Sequence, residues 1–373
     1  MQFRYKKITV KIGSNVLAKD DGTLNVSRIA HLVDQIAFLR KNGVEVVVVS
    51  SGAVAAGRAV LEPTKKTDAV SQRQLWAALG QVKLISRYSD FFNEHNLVCA
   101  QVLTTKENFS SRGHYLNMKN CIETLLENQV IPVVNENDTI SVTELMFTDN
   151  DELSGLIASM VNSEALILLS NVDGVFTTHP KQENARLIQN ISIDEKEPED
   201  AISSEQSGFG RGGMLTKLRI AKKVAGDGIG VHVANGKREN VLIDLMDISK
   251  ELKHTYFVPN ERTYTGIKKW IGYSDGFAKG ELVINEGAIK ALNSDMAVSL
   301  LPVGIIEVKT KFKKGDLIKI VDKLGVIVGI GKASYDSNQL EKEKKSEKQK
   351  PIVHYDYLYL ETSRGNYYNK MNK

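Results

Sequence analysis

Short apolar runs and longer helical patterns alternate along the chain up to about residue 255. The run Val44–Val49 shows no polar alternation, which is typical of a strand covered on both faces in a parallel sheet. Similar runs predict strands at Ile8–Ile12, Leu97–Val102, Val130–Val134, Ala165–Leu169 and Gly230–Ala234. Amphipathic patterns between them predict helices at Ile29–Lys41, Gln72–His95, His114–Asn128 and Met214–Val224. This alternation predicts an α/β fold, with a mostly parallel open sheet sandwiched by helices.

The pattern changes beyond about residue 275, where short apolar runs are separated by Gly, Pro, Asn and Asp. This texture predicts a small, mostly-β barrel or sandwich, with one helix near Glu286–Leu292 and a last strand at Ile352–Leu360. Pro259 and Asn260 interrupt the preceding helical pattern and indicate a linker. We therefore expect an α/β domain, a linker, a β domain and a disordered polar tail, with the bounds 1–256, 257–275, 276–361 and 362–373.

Composition narrows the class of protein only slightly. The 373 residues are enough for two domains with full cores. The formal net charge of +4 is a mild excess, and the lysine-rich segment Glu341–Lys350 is typical of a solvated surface rather than of a nucleic-acid site. Two cysteines favour a reducing compartment over a disulfide framework. Because no stretch is long and apolar enough to span a bilayer, we expect a cytoplasmic protein with no membrane partner.

Two polar clusters lie close together between Ile131 and Asp151. The first, Asn135–Asp138, ends a predicted strand, and the second, Asp149–Asp151, leads into a helical pattern. Turns rich in Gly, Ser, Asn or Asp follow other predicted strands, at Lys11–Ser14, Ser50–Ala53, Ser170–Asp173 and Asn235–Gly236. Turn chemistry alone explains any one of them. Because ligands bind outside the carboxyl ends of parallel strands, the whole set predicts one pocket for a small polar or charged ligand.

A glycine-rich segment, Gly208–Lys217, enters a predicted helix. Such a segment suits phosphate binding through backbone N–H groups and the helix dipole, and a flexible loop without a ligand is an equal alternative. It is not a Walker A motif, and neither metal-ligand spacing nor a GxSxG hydrolase motif occurs in the chain. Lys11 and Lys217 together would neutralise a transferring phosphoryl group, although Lys11 alone is also typical of a surface side chain. Ser51–Ala53 is either a second anion site or a serine helix cap.

Several motifs follow, in order, the pattern of the glutamate 5-kinase branch of the amino acid kinase family. They are Lys11-x-Gly13, SSGAVAAG from Ser50, YLNMKN from Tyr115, VVNENDT from Val133, TDNDELS from Thr148 and GGMLTK from Gly212. In the second domain, GELVINEGA and SLLPVGI resemble the PUA domain of bacterial members. The chain resembles this family over roughly residues 6–360, which implies an amino acid kinase fold with a C-terminal PUA-like barrel.

The resemblance also implies a role for individual residues. Lys11 and Lys217 would stabilise the transferring phosphoryl group, and Asp151 would hold both lysines in place. The residues expected to bind glutamate are Ser51, Gly52, Ala53, Asn135, Asp138 and Asn150. ATP is expected to contact Lys11, Ser170, Asn171, Arg211, Gly212, Gly213, Met214, Leu215, Thr216 and Lys217. Mg²⁺ would be carried by the nucleotide phosphates and retain several waters, so no protein metal site is expected.

The implied reaction is ATP-dependent phosphorylation of the γ-carboxylate of L-glutamate, the first step of proline biosynthesis. A carboxylate with a pKa of about 4.3 is ionised at neutral pH, so its attack on the γ-phosphate needs no general base. Family likeness further implies inhibition by proline and a homo-oligomer, either a dimer or a tetramer. The sequence departs from the family pattern at Asn171, where Asp is frequent, and at Arg211, where a small hydroxyl residue is usual. Thr310 and Tyr355 are departures in the second domain.

Two alternatives stay open. A kinase of another small acid, such as aspartate, N-acetylglutamate or carbamate, would share the fold but is not expected to combine both polar clusters with a PUA-like domain. An RNA-binding protein is the second alternative, because PUA-like barrels often bind RNA. The second domain does not clearly interleave exposed aromatic residues with arginine, so RNA is an unsupported partner and the ligand of this domain is open.

Overall fold

The computed structural model describes residues 1–61, 68–140, 147, 149–193, 213–261, 264–294 and 296–361. By its contacts the chain divides into two compact units, one of residues 1–261 and one that begins at residue 262. This division falls inside the segment 257–275 that the sequence indicates as a linker. The predicted tail, 362–373, lies outside the described residues. None of the helices in the described ranges combines the length and the apolar character that crossing a bilayer requires.

The described part of the first unit is built around one eight-stranded sheet. Its strands are β1 (Lys7–Ile12), β2 (Glu45–Ser50), β3 (Cys99–Thr104), β4 (Ile131–Glu136), β5 (Ala165–Ser170), β6 (Asn190–Ile191), β7 (Gly230–Asn235) and β8 (Thr255–Phe257). Their order across the sheet is β3-β4-β2-β1-β5-β7-β8-β6. Neighbouring strands are parallel, except that β7 and β8 are antiparallel. The predicted mostly parallel sheet is confirmed, and β6 and β8 at one edge are too short to show a periodicity in the sequence.

Helices connect these strands and cover the sheet. They are α1 (Ser14–Leu17), α2 (Val26–Lys41), α3 (Ala53–Arg58), α4 (Ala69–Glu94), α5 (Arg112–Glu127), α6 (Asn150–Met160), α7 (Met214–Gly226) and α8 (Val241–Met246). α4 begins at Ala69 rather than at the predicted Gln72. The reason is an N-cap, because the Asp68 carboxylate accepts the N–H groups of Val70 and Ser71 at 2.9 and 3.0 Å.

α3 and α4 pack backbone against backbone. A Cβ at Gly57 would lie 1.8 Å from the carbonyl oxygen of Trp76, and a Cβ at Gly80 would lie 1.7 Å from that of Ala53. Only glycine permits so close an approach. The contact fixes the start of α3, which directly follows β2, against the middle of α4. It thereby brings polar residues of α4 to the carboxyl edge of the sheet.

The second unit contains a five-stranded mixed sheet among its described residues. Its strands are β9 (Gly280–Ile284), β10 (Ile305–Thr310), β11 (Leu317–Val321), β12 (Ile327–Ala333) and β13 (Val353–Leu360), in the order β10-β9-β11-β12-β13. Its helices are α9 (Gly266–Gly272), α10 (Glu286–Leu292) and α11 (Leu340–Lys344). The mostly-β character, the helix α10 and the last strand agree with the sequence. α9 contributes Trp270 and Ile271 to the buried interior, and a Cβ at Gly272 would lie 2.7 Å from the ring of Tyr359.

Candidate active site

A cleft of about 590 Å³ lies at the carboxyl edge of the parallel sheet. The ends of β1, β2, β4 and β5 and the starts of α3, α6 and α7 line it. Most of the residues that the sequence singles out are brought together here: Lys11, Ser51, Gly52, Ala53, Asn135, Asp138, Asn150, Asp151, Ser170, Asn171, Gly213, Met214 and Lys217. Leu215 and Thr216 lie in the first turn of α7 but do not line the cleft. Arg211 and Gly212 fall outside the described residues.

A buried carboxylate between two lysines forms the floor of the cleft. Lys11 Nζ lies 2.5 Å from Asp151 Oδ1, and Lys217 Nζ lies 3.0 Å from Asp151 Oδ2. The Asp151 side chain is 0 % exposed, and those of the two lysines are 6 % and 12 % exposed. Lys11 is placed by β1, Asp151 by the first turn of α6 and Lys217 by the first turns of α7. These three side chains carry a net charge of +1, and Asp151 holds the two ammonium groups close together at the floor of the cleft.

Burial and charge act in opposite directions on this group. Burial raises the pKa of Asp151, but the ammonium groups of Lys11 and Lys217 outweigh it and hold that pKa well below its usual range. Burial lowers the pKa of Lys217, but the charge and hydrogen bond of Asp151 outweigh it and raise that pKa above its usual value. Asp151 and Lys217 are therefore both charged at neutral pH.

Asp149 is a further carboxylate in the cleft, which the sequence placed in the second polar cluster without a role of its own. It caps α6, since its Oδ1 accepts the N–H groups of Asp151 and Glu152 at 2.8 and 3.1 Å. Its Oδ2 is buried and has no hydrogen-bond partner among the described residues. Burial, followed by the charge of Asp151, raises the pKa of Asp149 to about 6, against the opposing effect of Lys11 and Lys217. Its place beside Asp151 in the DND cluster was the available signal.

The Asn150 amide joins three segments of the cleft. Its Nδ2 lies 3.1 Å from the Ser50 carbonyl oxygen, 2.9 Å from Ser51 Oγ and 3.0 Å from Asn135 Oδ1. Asn135 in turn donates from Nδ2 to Gln81 Oε1 of α4 at 2.9 Å. Asn135 is only 2 % exposed, and its amide oxygen fixes the position of the Asn150 amide.

Gly52 forms the turn between β2 and α3. Its φ of +103° lies in the left-handed region, which glycine adopts without strain. A Cβ there would also lie 3.3 Å from Leu24 Cδ1. The turn therefore sets the position of Ser51, whose Oγ accepts from Asn150 at 2.9 Å.

Arg73 contacts the predicted substrate residue Asp138 from α4. Arg73 Nη2 donates to Asp138 Oδ1 at 2.7 Å, and both residues line the cleft. Next to it, Gln74 Nε2 donates to the Thr139 carbonyl oxygen at 2.9 Å. Sequence reasoning missed Arg73 and Gln81, because a polar residue on an amphipathic helix ordinarily faces solvent.

The other side of the cleft follows β5 and β7. Ser170 ends β5 and is 7 % exposed, and Asn171 follows it into the cleft wall. Asp173 joins this turn to the one after β7, since it accepts from Arg238 Nε and Nη2 at 2.8 and 2.6 Å. α7 begins at the same cleft, and its N-cap residue is Gly213, so no side-chain hydrogen bond caps the start of this helix among the described residues. The N–H groups of this 13-residue helix are therefore suited to an anion.

The fold and the site together define a class of protein. A parallel α/β sheet that carries paired ammonium groups and an uncapped helix start at its carboxyl edge is arranged for phosphoryl transfer, which depends on positioning and charge stabilisation. Residues 6–235 match the amino acid kinase family, and residues 280–355 match the PUA domain. The chain belongs to the amino acid kinase family and carries a C-terminal PUA domain, as the motifs in its sequence indicated.

Curated relatives cover nearly the whole chain. A glutamate 5-kinase from Bacteroides thetaiotaomicron is 55 % identical over 97 % of this chain and 100 % of its own length. A glutamate 5-kinase from Chlorobaculum tepidum is 44 % identical over 95 % of this chain and 98 % of its own. A third, from Maridesulfovibrio salexigens, is 40 % identical over 90 % of this chain and 88 % of its own.

Proposed function

We propose that this protein is an ATP-dependent glutamate 5-kinase. It transfers the γ-phosphoryl group of ATP to the γ-carboxylate of L-glutamate and forms L-glutamyl 5-phosphate, in the first step of proline biosynthesis. The observation that carries this proposal is the Lys11–Asp151–Lys217 group beside a pocket of amide and carboxylate side chains. The full-length similarity to curated glutamate 5-kinases supports the choice of substrate over other small acids.

The chemistry follows from charge. The γ-carboxylate is ionised at neutral pH and attacks without a general base, so the main obstacle is repulsion between two anions. Lys11 and Lys217 lie where their charges oppose that repulsion as the phosphoryl group moves. Asp151 keeps both side chains in place before the substrates arrive, so little reorganisation is needed during the reaction.

The two substrates are assigned to opposite sides of the cleft. The glutamate side comprises Ser51, Gly52, Ala53, Asn135, Asp138 and Asn150. The ATP side comprises Lys11, Ser170, Asn171, Gly213, Met214 and Lys217. The sequence motif suggests Arg211, Gly212, Leu215 and Thr216 as further ATP contacts. Within the first group, Asn150 orients Ser51 by its hydrogen bond to Oγ.

Mg²⁺ belongs with the nucleotide in this proposal. The described residues hold no group of three or more His, Cys, Asp or Glu side chains arranged for a metal. The Asp149 Oδ2 atom, buried without a described partner, is a carboxylate oxygen of the kind that suits Mg²⁺ or its waters. When bound to the phosphates, the ion would neutralise part of their charge.

The remaining expectations extend the same proposal. We infer that the enzyme works in the cytoplasm as a dimer or tetramer and is inhibited by proline at or near the glutamate pocket. We further propose that residues 1–256 form the kinase domain and residues 276–361 form the PUA-like domain. Inhibition by proline is chemically consistent with a pocket built to hold an amino acid.

The experiment that tests the proposal is an acyl phosphate assay. ADP release from Mg-ATP is measured with L-glutamate in the presence of hydroxylamine, which traps the product as γ-glutamyl hydroxamate. L-Aspartate and N-acetyl-L-glutamate are run in parallel, each with and without proline. We expect glutamate-dependent hydroxamate that proline suppresses. Turnover with another acid alone would overturn the substrate, and the absence of turnover with all three would overturn the kinase assignment.

A further inference from the structure

We propose that Arg73 is the residue that selects the α-carboxylate of the acceptor substrate, with Asp138 taking its α-ammonium group. This inference deepens the proposed function and rests on it. It gives the glutamate side of the cleft a cation of its own, separate from the two lysines of the reacting end. The pocket would thus choose a free amino acid rather than any small diacid.

Arg73 is placed at the cleft by the packing of α4 on α3. It lies near the start of α4, which is held against α3 by the glycine contacts at Gly57 and Gly80. The Arg73 side chain lines the cleft and is 31 % exposed, whereas the side chain of Asp138 beside it is 10 % exposed. Arg73 Nε is buried and has no hydrogen-bond partner among the described residues. A planar group with donor capacity to spare therefore borders the pocket.

Arg73 and Asp138 form an ion pair that the charged α-end of an amino acid can join. Before a substrate binds, Arg73 and Asp138 neutralise one another through a contact of 2.7 Å. A zwitterionic amino acid brings one charge of each sign, so it can join this pair as a four-charge group without leaving any charge unpaired. An acceptor that lacks either α-charge leaves a partly buried partner unsatisfied, which is costly. Guanidinium geometry also matches a carboxylate with two parallel hydrogen bonds.

The arrangement separates the two ends of the substrate. Lys11 and Lys217 pair with Asp151 and, in the proposed reaction, face the phosphoryl group, so they do not distinguish one carboxylate from another. Asp138 follows β4, and Arg73 reaches it from α4, on a different wall of the same cleft. Recognition at Arg73 would place the α-end there and leave only the γ-carboxylate facing the lysines.

The test compares two acceptors in two proteins. Arg73→Met removes the charge but keeps an extended side chain. L-Isoglutamine, in which an amide replaces the α-carboxylate of glutamate, is the matched acceptor, and it is followed both by hydroxamate formation and by competitive inhibition. In the unmodified enzyme we expect a preference for L-glutamate of about tenfold or more, the size of one charged hydrogen bond. In Arg73→Met we expect a KM for L-glutamate about tenfold higher, kcat nearly unchanged and a preference close to one.

Controls separate recognition from structure. Arg87→Met is the same substitution on the same helix at a 50 % exposed residue, and it should change neither preference nor KM. Arg73→Lys should keep part of the preference, and it serves if Arg73→Met does not fold. An equal loss for both acceptors, with the preference retained, would show that Arg73 only supports Asp138 and would overturn the proposal. Turnover of L-glutamate by the unmodified enzyme tests the proposed function independently of these outcomes.

Discussion

Replacing Asp151 by Asn removes the charge that holds the two active-site lysines and keeps the shape of the side chain. Asp151 is fully buried, and the lysine side chains are 6 % and 12 % exposed, so solvent screens the ion pairs only weakly. Removing one partner of a buried pair costs about 3–5 kcal/mol. The Asn oxygen can still accept one hydrogen bond, so we expect the free energy of unfolding to fall by about 3 kcal/mol at pH 7.

The pH dependence of that loss follows from the pKa shifts. The pKa of Asp151 is lower in the folded protein than in the unfolded chain. The ionised carboxylate therefore stabilises the folded state at pH values above its unfolded pKa of about 3.9, and this stabilisation is lost as the pH falls toward the folded pKa. The stability difference between the parent protein and Asp151→Asn should therefore persist at neutral pH and narrow below about pH 4. In the variant, the Asp151 charge no longer offsets the effect of burial, so the pKa of Lys217 is lower than in the parent protein. We therefore expect kcat to decline with rising pH at a lower pH than in the parent protein.

Urea unfolding across this pH range and hydroxamate kinetics measure both effects. We expect kcat to fall by about a hundredfold or more, because neither lysine is held where phosphoryl transfer needs it. Asp90→Asn is the matched control, since this carboxylate is 59 % exposed and 3.8 Å from Arg87. Parental stability and kcat in Asp151→Asn would refute the role assigned to the buried carboxylate.

Three further predictions test other parts of the site. Lys217→Ala should lower kcat about a hundredfold with little change in the KM for glutamate, whereas Asn150→Ala should mainly raise that KM; the reverse pattern in steady-state kinetics would exchange the roles. Gly80→Ala should cost about 2–3 kcal/mol in urea unfolding, because its Cβ would lie 1.7 Å from the Ala53 carbonyl oxygen, and a neutral effect would contradict the close packing. The pKa of Asp149 is raised to about 6, so its contribution to stability falls as the pH rises from about 4 to 6; Asp149→Asn should remove this decline in unfolding measured over that range.

Local patterns predicted the fold well and the contacts between elements poorly. The run Val44–Val49, which lacks polar alternation, predicted the buried strand β2. The change to short apolar runs separated by Gly, Pro, Asn and Asp beyond residue 275 predicted the mostly-β unit. The start of α4 was misplaced by three residues because Asp68, a single capping side chain, decides it. A cap is a local feature that periodicity does not report.

The candidate site was predicted where polar residues end strands and was missed where they lie on a helix. Lys11, Ser51 and Asn135 lie at the ends of β1, β2 and β4, so topology alone places them at the carboxyl edge. Arg73 and Gln81 lie on α4, where a polar side chain normally faces solvent. The packing of α4 on α3 brings Arg73 to the cleft and Gln81 to the amide of Asn135. That packing depends on two glycines whose partners are distant in sequence.

The Lys11–Asp151–Lys217 group also has a consequence for how the chain folds. Its three members come from a strand near the start of the first unit, a helix in its middle and a helix near its end. Contacts between such distant positions form late, because the entropy of closing long loops must be overcome first. In any partly folded species that lacks α6, both ammonium groups remain hydrated. Catalytic competence is therefore a property of the completely assembled unit, and its recovery during refolding follows the slowest step rather than the formation of any single element.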